Sequence, residues 1–132
     1  MSNEIPCAHS GDMRLVFPCS GAADVGEIAD RAARMISRDG AGRMSCLAGV
    51  ASRCEDVLSV VRAAEKILAI DGCNLDCAKK TLEQASVKSF QHLRVSDLGM
   101  EKGKTPVTVD RVTAVATRGK GILRAAPQER VV

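Results

Sequence analysis

The sequence predicts a small three-layer α/β domain, with a mostly parallel sheet of about four strands and helices on both faces. Three observations predict it. Short apolar runs alternate with amphipathic stretches of helical period, the pattern of βαβ units joined by right-handed crossovers. The chain has 132 residues, about the length of one domain. Its apolar fraction of 45% can build a core and its charged fraction of 27% suits a soluble surface, which argues against a disordered or a membrane chain.

The elements follow in order. Residues 13–18 form a short β-branched run ending at Cys19, and Ser20, Gly21, Ala22 and Ala23 make a tight turn. From Asp24 the period becomes helical, with Val25, Ile28, Ala29, Ala32, Ala33 and Ile36 on one face and charged residues on the other. Asp24 and Glu27 have the spacing of a capping box, and Gly40 and Gly42 close the helix. A second strand is expected over 43–47 and a helix over 55–64. A third apolar run, 67–70, is stopped by Asp71 and Gly72. Leu75, Ala78, Leu82 and Ala85 mark the next helix, and 90–95 offers a fourth strand. A polar connection over 97–106, with two lysines, leaves the same sheet edge and could form a lid. A short helix is expected over 108–117. The domain is thus placed at 13–118, between a flexible arm over 1–12 and a loose tail over 119–132.

Composition removes several functions. Phe17 and Phe90 are the whole aromatic complement, too few for a base-stacking platform, and a net charge of +3 is too small to mark a phosphate-backbone binder. Nucleic acid is disfavoured. No apolar segment approaches a membrane span or a secretory h-region, so the expected compartment is a reducing cytoplasm. In that compartment six cysteines point to metal or redox chemistry before structural disulfides.

The cysteines follow the βα cycle. Cys19, Cys46 and Cys73 are spaced 27 residues apart, each at or near the end of an expected strand. Parallel strands present their carboxyl ends on one edge, where ligands bind, so thiols distant in sequence can converge there. Cys77 lies four residues after Cys73 at an expected helix start, a spacing that shares one helix face. Four thiolates suit tetrahedral zinc. Cys7 and His9 could add donors, and Cys54 falls at a helix start as a spectator. Asp71 and Asp97 end expected strands at the same edge, where a carboxylate can orient a metal loop or simply cap a turn. Two readings compete with metal: thiol–disulfide exchange with Cys73 attacking and Cys77 resolving, and cysteines as small buried hydrophobes. A metal-dependent interaction module is a further, non-catalytic possibility.

Other chemistries lack residues. Cys19 to Asp24 has the outline of a cysteine-phosphatase loop, but Val25 stands where the phosphate-gripping arginine belongs, and Asp24 puts negative charge at the anion site. CxxxC replaces the thioredoxin CxxC. No Walker loop, GxGxxG, HExxH or serine nucleophile elbow is present, and no catalytic residue can be named.

Three motifs in order carry a resemblance: Pro18-Cys19-Ser20-Gly21-Ala22-Ala23-Asp24-Val25-Gly26-Glu27, Asp71-Gly72-Cys73-Asn74-Leu75-Asp76-Cys77, and Leu93-Arg94-Val95-Ser96-Asp97-Leu98-Gly99-Met100-Glu101-Lys102-Gly103-Lys104. With them the chain resembles the DGC-domain family of small prokaryotic proteins, from about Cys7 to the segment after Lys104. That family is described as zinc-binding on the strength of its cysteines, without an established reaction. Carried over by position, the resemblance implicates Cys19, Cys46, Cys73 and Cys77; some members have an amino-terminal cysteine cluster where this chain has Cys7 and His9.

Overall fold

The computed structural model describes residues 13–125, so Cys7 and His9 lie outside the described residues. Four strands, β1 (Arg14–Pro18), β2 (Arg43–Met44), β3 (Lys66–Asp71) and β4 (Gln91–Arg94), form one sheet in the order β2-β1-β3-β4. Every pairing is parallel, with Val16 opposite Leu68 and Ile70 opposite Leu93. The two central strands read as unbroken apolar runs because helices cover them on both faces. Alternation then sorts their side chains. Val16, Leu68 and Ile70 pack on one face under α1 (Asp24–Arg38) and α5 (Val109–Arg124). Leu15, Phe17, Ile67 and Ala69 pack on the other, with α2 (Leu47–Ala51), α3 (Glu55–Ala63) and α4 (Cys77–Gln84). The expected α/β architecture is the one observed. No helix among the described residues is long and apolar enough to cross a membrane.

Helix α1 buries the six apolar positions that its period singles out, and Gly40 at φ +80° closes it. Its start departs from the expected capping box. Ala23 is the N-cap, Asp24 is already helical, and Glu27 pairs with Arg31 at 2.8 Å instead of reaching back. Strand β2 is shorter than expected. Ser45 N–H still donates to Val16 O at 3.0 Å, but the Cys46 carbonyl accepts from Gly49 and Val50 N–H, so helical bonding takes over where the strand was expected to continue to Leu47. Leu75 leaves the buried face assigned to it and is 55% exposed, because α4 begins only at Cys77.

The largest departure is at the carboxyl end, where α5 runs on to Arg124 through residues expected to form a tail. Two glycines disguise the helix there. Gly119 lets α5 approach so closely that a Cβ would lie 2.7 Å from Ile36 Cδ1 and 3.2 Å from Leu68 Cδ2. Leu123, one turn further, is fully buried and sits over Gly42. The buried series Val112, Val115, Ala116, Gly119, Leu123 is therefore one continuous helical stripe. Leu123→Ala should cost about 2–4 kcal/mol, the usual range for a fully buried leucine. Urea denaturation measures it, and a loss below about 1 kcal/mol would mean that this last turn is not part of the core.

Candidate functional site

Strand β1 sends its chain to α1 on one face of the sheet, and β3 sends its chain to α4 on the other. The carboxyl ends of these two adjacent strands therefore form a topological switch point, the place where open α/β sheets bind ligands. Gly72, just past β3, rests on the first turn of α1 so closely that a Cβ would come within 2.7 Å of Gly26 N and Val25 C. No side chain intervenes, and a cavity of about 390 Å³ opens beside the contact.

Cys19, Cys73 and Cys77 line that cavity, together with Lys102. Cys19 is half-buried, and its Sγ accepts from Gly72 N–H at 3.4 Å. Burial pushes its thiol pKa up, opposed by the N–H groups of Gly21 and Gly72. Cys73 precedes α4, and Lys102 Nζ lies 3.7 Å from its Sγ. Cys77 is the first residue of α4 and is exposed. The expected i, i+4 placement of Cys73 and Cys77 on one helix face is thus replaced by a loop, which turns through Asp76 in the left-handed region at φ +54°.

Cys46 stands apart. It is exposed and lines a second, larger groove on the β2 side, and Cys19 forms part of the walls of both. The four cysteines expected to converge are therefore divided between two adjoining cavities. Among the described residues, the one set of three or more potential ligand atoms within 4.8 Å of one another belongs to Asp71, Asp76 and His92, with no cysteine in it. Cys54 is exposed at the N-cap of α3, away from either cavity wall.

The two carboxylates singled out in the sequence have different surroundings. Asp71 is 1% exposed and accepts from Ala78 N–H at 2.7 Å and Lys79 N–H at 3.1 Å, so it caps α4 from the preceding strand. His92 Nε2 lies 2.9 Å from Asp71 Oδ2, the oxygen that also accepts from Lys79 N–H. Asp97 is exposed, meets Arg94 at 3.4 Å and does not line the three-cysteine cavity. Sequence reasoning gave no role to Asp76 and passed over His92 and Arg94. Asp76 takes a two-pronged grip from Arg94, with Nε at 2.9 Å and Nη2 at 2.6 Å. Arg94 holds the Asp76 carboxyl below the ordinary range, and Asp76 in turn keeps the guanidinium charged. A signal was present: His92 and Arg94 are polar residues at alternate positions of a strand paired in parallel, with Arg94 in register with Asp71.

Asp24 does in space what its sequence position did not announce. Its carboxylate accepts from Gly103 N–H at 2.9 Å and Thr105 N–H at 3.0 Å, and from Val25 N–H at 2.7 Å. The expected lid segment is thereby pinned to the start of α1, with Lys102 brought against Cys73.

The motifs that build this edge fall inside a longer match, for the DGC domain matches residues 15–118. The chain belongs to the DGC-domain family. It is 36% identical over 88 residues to the anaerobic and virulence modulator AnvM of Pseudomonas aeruginosa, an overlap that covers 67% of each chain. No solved structure matches it. In this DGC-family chain the tripeptide Asp71-Gly72-Cys73 divides its work: the carboxylate caps α4, the glycine admits α1, and the thiol faces the cavity.

The N–H groups of Gly103 and Thr105 hold the Asp24 carboxyl below its ordinary range. The clamp it makes is therefore fully present above the usual carboxylate range and is lost as pH falls through the lowered value in the folded chain. Protection of the Gly103 and Thr105 amides, taken relative to the intrinsic exchange rate at each pH, should fall on such acidification, and by about tenfold at neutral pH in Asp24→Ala. Unchanged protection in the variant would show that the segment is held by something else.

Proposed function

We propose that this DGC-family protein binds a thiophilic metal ion, zinc before others, through Cys19, Cys73 and Cys77. One observation carries the reading: three thiols from two separate segments line a single cavity at the switch point of the sheet. The donor set suits the ion. Three sulfurs with a fourth position open to water or a further donor is an arrangement zinc adopts, and it would supply Lewis acidity or a ligand-exchange position there. Lys102 stands where it offsets accumulated thiolate charge, and the Gly72 N–H supports the Cys19 sulfur. Closing three sulfurs on one ion needs side-chain rotation, since among the described residues no three cysteine sulfurs lie within 4.8 Å of one another. Cys46 lines the groove on the other side of the Cys19 wall and is left out of this donor set.

The five described cysteines are free, which suits a reducing cytoplasm. The name of the related AnvM, an anaerobic and virulence modulator, supports a regulatory setting for such a thiol site in this chain as well. A second reading is thiol–disulfide exchange, with Cys73 attacking and Cys77 resolving. It is favoured by the Lys102 ammonium beside the Cys73 sulfur, the kind of neighbour that nucleophilic thiolates have.

Elemental analysis of protein purified without oxygen or added metal distinguishes the two. About one zinc per chain is expected, falling several-fold in Cys73→Ser and staying near the parent level in Cys46→Ser. Full occupancy in Cys73→Ser would overturn the assignment. Protein without metal, carrying a Cys73–Cys77 bridge after mild oxidation, would move the site to exchange chemistry.

A further inference from the structure

The larger groove has no part in that reading. It encloses about 1030 Å³, at the upper end of small-molecule sites, between the carboxyl-terminal half of α1 and the corner where β2 turns into α2. Its ionised lining groups are Asp30, Arg34 and Arg38. Asp30 is engaged within the wall, accepting from Ser20 Oγ at 2.8 Å and Arg34 Nε at 2.8 Å, which leaves the Arg34 Nη groups open. Arg38 is exposed in the last turn of α1, and the neighbouring carboxylate, Asp39, is paired with Lys120. The wall therefore carries one net positive charge, and its free donors suit an anion.

Two further features narrow the ligand. Ser37 Oγ accepts from Met44 N–H at 3.0 Å, so its own O–H can donate into the groove beside Arg38. Cys46 is the N-cap of α2 but makes no side-chain cap bond, and its exposed thiol is uncommitted. One wall thus presents a carboxylate-binding group and a free thiol to the same space. We propose that this groove receives a small carboxylate-bearing disulfide and that Cys46 takes half of it as a mixed disulfide. The Cys46 sulfur, having given up its proton, attacks one sulfur of the ligand, and a new S–S bond joins Cys46 to that half. The ligand's own S–S bond breaks, and its other half leaves with the electron pair and takes up the proton. Cys46 is oxidised by one bond, the departing half is reduced to a thiol, and no further reactant is needed. Cys46 lies outside the three-thiol cavity, so the inference stands or falls separately from metal binding.

Cys54 supplies an internal reference, because it too is an exposed helix N-cap without a cap bond, yet it lies outside the groove. The reduced full-length chain is treated with oxidised glutathione, which carries carboxylates, and separately with cystamine, which carries ammonium groups. Peptide mapping then gives the ratio of labelling at Cys46 to that at Cys54. With oxidised glutathione the ratio should exceed the cystamine ratio by about fivefold or more, and the excess should shrink as salt rises. Arg38→Gln should remove most of the excess and Arg38→Lys should keep part of it, while cystamine labelling does not fall in either. Equal ratios with the two disulfides, a preference for cystamine, or an unchanged excess in Arg38→Gln would overturn the proposal. Zinc content in the same variants stays at the parent level if the two sites are separate.

Discussion

The carboxyl edge of the sheet depends on one constraint, the backbone contact among Gly21, Gly26 and Gly72. A Cβ on Gly26 would lie 2.7 Å from Gly21 O, and one on Gly72 would lie equally close to Gly26 N. The turn after β1, the first turn of α1 and the loop after β3 therefore touch main chain to main chain. Side-chain carbon at either contact would force these segments apart, because packed backbone cannot yield as a flexible side chain can. The spacing has chemical consequences. It brings Gly72 N–H to the Cys19 sulfur and fixes where the chain can turn toward Cys73 and Cys77.

Polar contacts fix the other side of the same loop. Asp76 sits in the left-handed region, which a residue with a Cβ enters at a cost of about 1–2 kcal/mol. The two bonds from Arg94 hold it there, and Asp71 anchors the helix that follows. None of the buried side-chain polar atoms among the described residues lacks a partner. The loop from 72 to 76 is thus tied at one end by backbone packing and at the other by an ion pair. Thiols carried on a loop tied at both ends have less freedom to lose when they meet a ligand, which is how rigid support shows itself in binding.

What the sequence revealed and what it concealed divide along contact range. The βα cycle, the buried face of α1 and the placement of Cys19 and Cys73 at strand ends are local or periodic features, readable from spacing alone. The role of Asp24 is not, since its partners Gly103 and Thr105 lie some eighty positions away and its local neighbour Glu27 offers a plausible capping box. The strand that carries His92 and Arg94 was expected, but their partners Asp71 and Asp76 lie about twenty positions earlier, across a helix, and no local spacing announces them. Cys46 shows the limit of a regular spacing. Its interval of 27 from Cys19 matches that from Cys19's other counterpart, Cys73, back to Cys46, but β2 ends after two residues and the chain turns aside before reaching the switch point. The last turns of α5 were obscured by Gly119 and Gly121, residues that weaken helix propensity and, at Gly119, make close packing possible.

The separation of the cysteines into two environments has a physical meaning beyond their count. Cys19 is shielded, and burial alone works against its ionisation, so it gains most from a partner that brings positive charge into the cavity. Cys46 is open to solvent and to the arginines of α1, so its reactivity is set by what diffuses into the groove. Cys19 belongs to the walls of both spaces, and a change in its sulfur would be felt on either side of it. Cys19 is thus the wall between the two proposed sites, with its sulfur held by the Gly72 N–H that the glycine contact brings to it.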